Sequence, residues 1–245
     1  MASKLPAQLR YESLVNPVIG PPVRPPQLRV VWPLTTTNDT YGLVGWWTMD
    51  ADYSDSSGQG NNASAVGGAS LVAAQLTNGV SLNGSGQYLT VPDATSLQFG
   101  TGDFTVTAWI NPAVVSYGAS SSGVIVSKDY VGFELFIYQS TFNAYVGGAA
   151  NGVGGTTILS PNKWYFVSLV RTNGILNTYV NAFLDATASN AANASNSGQA
   201  LQIGERPGNL LTYFNGIIDD VRIYNRALSA GEILIQYEWP VGGRP

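Results

Sequence analysis

The chain has 245 residues, a net charge of −4 and neither cysteine nor histidine. Disulfides, thiolate or imidazole metal sites and the His-dependent Ser and Cys triads are therefore excluded. Abundant glycine, tyrosine and tryptophan with only 11% charged residues suit short strands joined by tight turns and disfavour an all-helical chain.

The first 40 residues carry +2 and the remainder −6, so the body of the chain lacks the basic face that nucleic-acid binding needs. Seven of the 13 prolines (Pro6, Pro17, Pro21, Pro22, Pro25, Pro26, Pro33) fall in the first 33 residues. They exclude helix and central strand there and predict an extended, partly polyproline arm over residues 1–40. Leu14, Val15, Val18, Ile19, Leu28, Val30 and Trp32 are apolar anchors that a solvated linker has no reason to carry. They are the candidate partner-docking residues, for a capsid or another large protein assembly. The amino terminus lacks the roughly 7–15-residue apolar run of a signal peptide, and no segment reaches the ~18 apolar residues of a membrane span.

From Tyr41 the sequence changes to short alternating runs broken by Gly, Asn and Ser clusters, the pattern of antiparallel strands. Strands are predicted at 43–48, 79–82, 87–91, 104–110, 123–128, 131–138, 141–147, 164–170, 174–180, 201–204 and 214–224, enough for two packed sheets. Trp46, Trp47, Trp109 and Trp164 are expected in the core. Ser229 and Glu232 have the spacing of a capping box ahead of Ile233, Leu234 and Tyr237, which predicts a short helix over one edge of the sandwich. The expected architecture is all-β: a two-sheet antiparallel jelly-roll sandwich over 41–238, with one short C-terminal helix, the Pro-rich arm before it and a tail at 239–245.

Five stretches carry a family resemblance in order along the chain. They are GLVGWWTMD (Gly42 to Asp50), the DSSGQGNN turn (Asp55 to Asn62), Gly79 to Pro112, Lys163 to Asn181, and Leu201 to Ile233 with its IIDDVRIYNRALSAGEI ending. Together they resemble the laminin-G-like jelly-roll family of the concanavalin A-like lectin and glucanase superfamily, over about 195 residues. The resemblance implies two sheets, often one structural calcium, and binding of glycans or proteins; the fold alone does not decide among functions.

Glycoside hydrolysis needs two carboxyl groups flanking the sugar bond. The only i, i+2 acid pair is Asp50 and Asp52, in a turn, and Glu134 has no acidic neighbour nearer in sequence than Asp129. No catalytic residue is assigned. For the calcium implied by the resemblance, Asp50, Asp52, Asp55 and Asn61 cluster in one Gly-rich turn, and Asp220 or its neighbour Asp219 comes from the late strand. These are the oxygen donors such an ion takes. The competing reading makes them turn-capping residues and partners of Arg222 or Arg226. Tyr130, Tyr145 and Tyr213, at strand ends, are the candidate ligand-binding aromatics. Asn38, Asn62, Asn83 and Asn193 begin N-x-Ser/Thr triplets that this composition produces by chance.

Three readings follow. The first is a phage-type virion decoration or accessory capsid protein, made in the host cytoplasm without a signal peptide, docked through its arm and displaying a lectin-like jelly roll, with cell-surface glycans as further partners and homo-oligomerisation allowed. The second is a calcium-dependent, lectin-like carbohydrate-binding module of a secreted, extracellular protein. The third is a glycosidase using Asp50, Asp52 or Glu134. The first two are non-enzymatic.

Overall fold

The computed structural model describes residues 40–118, 121–196, 198–208 and 212–238; the arm anchors Leu14, Val15, Val18, Ile19, Leu28, Val30 and Trp32, and the tail, lie outside them. The strands are β1 (Leu43–Trp47), β2 (Ser64–Val66), β3 (Ser70–Ala73), β4 (Asn78–Asn83), β5 (Tyr88–Val91), β6 (Phe104–Pro112), β7 (Gly123–Ser127), β8 (Phe133–Tyr138), β9 (Thr141–Val146), β10 (Gly152–Ile158), β11 (Tyr165–Thr172), β12 (Ile175–Val180), β13 (Phe183–Ser189), β14 (Leu201–Ile203) and β15 (Asn215–Tyr224), followed by helix α1 (Ala230–Glu238). The first sheet runs β13-β12-β11-β6-β15-β4-β3, with β1 also paired to β15, and the second runs β10-β9-β8-β7-β14-β5-β2. Every ladder is antiparallel.

Alternation builds the sandwich. Phe104, Val106, Ala108 and Ile110 of β6 and Val167 and Leu169 of β11 enter the core between the sheets, so Trp109, Phe166 and Val170 face outward, where they form a second apolar cluster. The capping box forms, with Ser229 N donating to Glu232 at 2.8 Å and Glu232 N to Ser229 Oγ at 3.3 Å. The helix lies across the outer face of the first sheet, not along an edge as expected. Tyr237 stacks on Trp109 at 5.5 Å, and Gln236 bonds Thr107 of β6 and Tyr224 of β15, both inner strands. Trp47 is in the core and Trp109 is buried under the helix; Trp46 and Trp164, expected in the core, are half-buried at the rim of the second cluster.

Strands β2, β3, β10 and β13 exceed the sequence expectation, and they are the outermost strands of the two sheets. At the β7–β8 turn, the fully buried Lys128 donates to Asp93 at 2.6 Å and to the Gln199 carbonyl at 2.7 Å, tying three loops together. No helix among the described residues is long and apolar enough to cross a membrane.

Candidate functional site

Helix α1 packs on the inner strands of the first sheet's outer face, and the outer face of the second sheet carries a continuous row of polar side chains. One register line crosses all seven of its strands. Ser64 of β2 pairs with Thr90, Thr90 with Gln202, Gln202 with Ser127, Ser127 with Glu134, Glu134 with Tyr145, and Tyr145 with Gly152. The chain neighbours Leu89, Val91, Leu201, Ile203, Val126, Phe133, Leu135, Ala144 and Val146 are all in the core, which turns the row itself outward. At ~4.8 Å between strands the row is about 29 Å long.

The middle of the row is organised by one ion pair. Glu134 is fully buried, and Arg206 donates Nε to its Oε2 at 2.6 Å and Nη2 to its Oε1, while Ser127 Oγ donates to Oε2 at 3.0 Å. The bonds to Glu134 push the Arg206 guanidinium further above its ordinary pKa. Its Cζ lies 5.3 Å from the centre of the Tyr130 ring, Tyr130 meets Tyr145 edge-on at 5.9 Å, and Tyr145 packs on Phe136 at 4.4 Å. Gly152 makes room for this, since a Cβ there would come within 2.7 Å of the Tyr145 ring. Toward β5, Tyr213 bonds Glu205, whose carboxyl is pushed up by burial, and lies 6.4 Å from Tyr88. Gly204, at φ +98, supplies the left-handed turn that carries the chain from β14 to Glu205 and Arg206. Between the two tyrosine pairs, Gln202 Oε1 is buried without a hydrogen-bond partner among the described residues.

Of the three aromatics named from sequence, Tyr130 and Tyr145 come together, and Tyr213 stands with Tyr88 instead. Gln202, Arg206 and Phe136 were missed, and Glu134 was weighed only as a catalytic acid. Gln202 and Glu134 are aligned by cross-strand register, which no local pattern carries. Glu134 is locked to Arg206 and Ser127, whereas Asp50 and Asp52 belong to the turn after β1 of the other sheet.

Most of the residues named for calcium already have hydrogen-bond partners. Asp55 accepts from Trp46 N, Ser57 N, Ser57 Oγ and Asn61 N at 2.8–2.9 Å, which fills its lone-pair positions. Asn61 donates its amide to Val44 O and Ser96 Oγ, and Asp52 caps the Ser54 amide at 2.8 Å. Asp50 accepts from the Asn78 amide at 3.5 Å, and Asp220 is held by Trp46 Nε1 at 2.7 Å and paired to Arg222 at 2.9 Å. Among the described residues no group of three or more acidic side chains is arranged to hold a metal. Asp219 differs from these. Its Oδ2 accepts from Leu76 N at 3.0 Å but its Oδ1 is buried without a partner. Burial, with Asp220 and Asp50 nearby, raises its carboxyl to about 7.

The Laminin_G_3 model, described as concanavalin A-like lectin/glucanases superfamily, matches residues 83–234. Comparison with curated proteins finds no sequence match. Among solved structures, the binding domain of Paraclostridial Mosquitocidal Protein 1 is similar at 17% identity and a TM-score of 0.69, over 81% of this chain and 52% of that one. Domain 4 of AbnA, a GH43 extracellular arabinanase from Geobacillus stearothermophilus, in complex with arabinotriose, is similar at 17% and 0.63, over 78% and 96%. The botulinum neurotoxin serotype C1 binding domain is similar at 16% and 0.65, over 82% and 53%. The chain thus spans about half the length of the toxin binding domains it matches, and at these identities the likeness is one of fold.

Proposed function

Because the chain belongs to the concanavalin A-like lectin/glucanases superfamily, we propose that it is a carbohydrate-binding module whose ligand meets the outer face of the second sheet. As a class it is a non-catalytic, lectin-like jelly-roll binding module. The observation that carries the reading is the two tyrosine pairs, Tyr130–Tyr145 and Tyr88–Tyr213, that flank the polar row, with Tyr130 and Ser64 exposed and Thr90 half-buried on the same sheet face. Hydroxyl and amide groups orient sugar hydroxyls, and aromatic rings take the apolar faces of sugar rings. Two relatives support it by what they were solved with: arabinotriose for the arabinanase domain, and SialylT for a neurotoxin binding domain. An extracellular setting belongs to the same proposal.

The virion reading depends on the arm, whose anchors lie outside the described residues, and none of the relatives named above is a capsid protein. Carbohydrate binding is therefore the reading carried forward. A structural calcium stays within the proposal, with Asp219 in place of its neighbour Asp220 and Asp50 beside it, because Asp219 keeps a buried oxygen without a partner. Differential scanning with calcium and with chelator tests that part: calcium should raise the Tm of the protein and not of Asp219→Asn. A glycan array followed by calorimetry tests the main reading, with binding expected for the protein and at least tenfold weaker for Tyr145→Ala.

A further inference from the structure

The Tyr130–Tyr145 pair is the head of a longer strip that runs along the strands. Leu135 and Ile137 of β8, Phe142 and Ala144 of β9 and Val153 of β10 enter the core, so their chain neighbours turn outward. Three outward levels follow one another in register: Glu134 with Tyr145 and Gly152, Phe136 with Asn143 and Gly154, and Tyr138 with Thr141. Glu134 and Phe136 are buried, whereas Tyr130 is exposed and Tyr145, Asn143 and Tyr138 are each half-buried. A ligand can therefore touch these four. The levels of Tyr145 and Tyr138 are four residues apart, about 14 Å along a strand, a distance that a single sugar ring does not span.

The polar group of the strip is Asn143. Its Nδ2 donates to the Thr141 carbonyl at 2.9 Å and to Thr141 Oγ1 at 3.0 Å, which fixes the amide. Its Oδ1 accepts no bond among the described residues and is not sealed from solvent, so it is an acceptor for a sugar hydroxyl between the levels of two tyrosine rings. The positions of β10 beside Tyr145 and Asn143 are both glycine. A Cβ at Gly152 would come within 2.7 Å of the Tyr145 ring, and one at Gly154 within 3.1 Å of Asn143 Oδ1. Neither glycine has a positive φ, and glycine weakens a strand, so its use there fits a close approach by another group. Gly154 is exposed, which leaves the space over it open. Beyond Tyr138 the strip runs out at the exposed Gln139, and beyond Tyr130 at Val131, 52% exposed.

We infer that a linear oligosaccharide lies along β8 and β9, from Tyr130 over Tyr145 and Asn143 to Tyr138, held through an interior segment of several sugars and not by a chain end. The inference rests on the carbohydrate reading and narrows it to linear chains, with Tyr138 as the subsite that separates long chains from short ones.

The test is calorimetry of the full chain with linear arabino-, xylo- and gluco-oligosaccharides from the disaccharide to the hexasaccharide. The hexasaccharide is also offered with its ends blocked, reduced to the alditol at one end and O-methylated on the last sugar at the other. Affinity should rise at least tenfold from disaccharide to hexasaccharide, and blocking the ends should change it by no more than a few-fold. Tyr138→Ala should remove most of that rise and leave the disaccharide within a few-fold. Gly154→Val, which fills the space beside Asn143, should weaken the hexasaccharide at least tenfold while the Tm stays equal or rises; should it not fold, Gly154→Ser takes its place. A disaccharide that binds as well as the hexasaccharide, loss of binding on blocking the ends, or unchanged hexasaccharide affinity in either variant overturns the inference and leaves the carbohydrate reading standing. The same follows if none of these series binds while other glycans bind on the array. No binding to the series or to any arrayed glycan overturns that reading, and the inference with it.

Discussion

Arg206 donates to both carboxylate oxygens of the fully buried Glu134 and at the same time lies 5.3 Å from the centre of the Tyr130 ring. A single guanidinium thus neutralises the one buried acid of the row and supports one of its aromatic walls.

Breaking that pair should be felt in stability first. Glu134→Gln leaves Arg206 without its counter-charge and should destabilise the fold by about 3 kcal/mol, since removing one partner strands a desolvated charge. Replacing both at once, Glu134→Leu with Arg206→Met, should recover most of that loss. Urea unfolding of the three proteins measures it, and equal midpoints for Glu134→Gln and the parent would show that the pair does not organise this face.

The two sides of the sandwich should separate in mutagenesis. Tyr130 is 41% exposed, so Tyr130→Ala should cost little stability, about 1 kcal/mol or less, yet reduce oligosaccharide affinity at least tenfold. Ser229→Ala removes the cap of α1 on the opposite face and should cost about 1 kcal/mol with affinity unchanged. Thermal unfolding and calorimetry on the same two variants check both halves.

Asp219 sets a pH dependence. Its carboxyl titrates near 7 in the fold and near 3.9 in an unfolded chain, so between these values the folded state holds the extra proton. Stability contributed by this group is therefore full below about pH 4, falls as pH rises to about 7, and is flat above. In chelator-treated protein Asp219→Asn should remove the fall. The variant should be more stable than the parent at pH 8, by an amount on the order of 2 kcal/mol, and equal to it at pH 3.5. Denaturation at the two pH values decides, and a parent that is stabilised on going from pH 4 to 8 relative to the variant would contradict the assignment.

The inner strands were legible because both their faces are apolar or alternate strictly, as in Trp164 to Val170 or Phe104 to Ile110. The four strands that were not legible are GVGGTTI, FLDATAS, SAV and SLVA, each at the end of a sheet. An edge strand has one neighbour and much solvent, so selection for an apolar row is weak there. Phe183 and Leu184 of β13, at 77% and 59% exposure, show how little an apolar letter means at such a position.

The site was less legible than the fold. Tyr130 and Tyr145 were named, but Gln202, Thr90 and Ser127 look like ordinary polar strand residues until the pairing register aligns them with Glu134. The roles of the acids named for calcium were hidden for a related reason: Asp55 is the acid that the turn itself uses, bonding three backbone amides. Of the adjacent Asp219 and Asp220, sequence could say only that one serves a given site. The bulge between Asp219 and Arg222, with Asp220 at φ +47, gives Asp220 to Arg222 and leaves Asp219 with the unpartnered oxygen.

The measurement that bears most directly on the binding face is an amide chemical-shift map of the isotopically labelled protein during titration with a neutral linear oligosaccharide. The account predicts shifts concentrated at Thr90, Ser127, Glu134, Tyr145 and Gln202, across the strands of the second sheet. Shifts confined to the first sheet beneath α1, or to the β13 edge around Phe183, would contradict it.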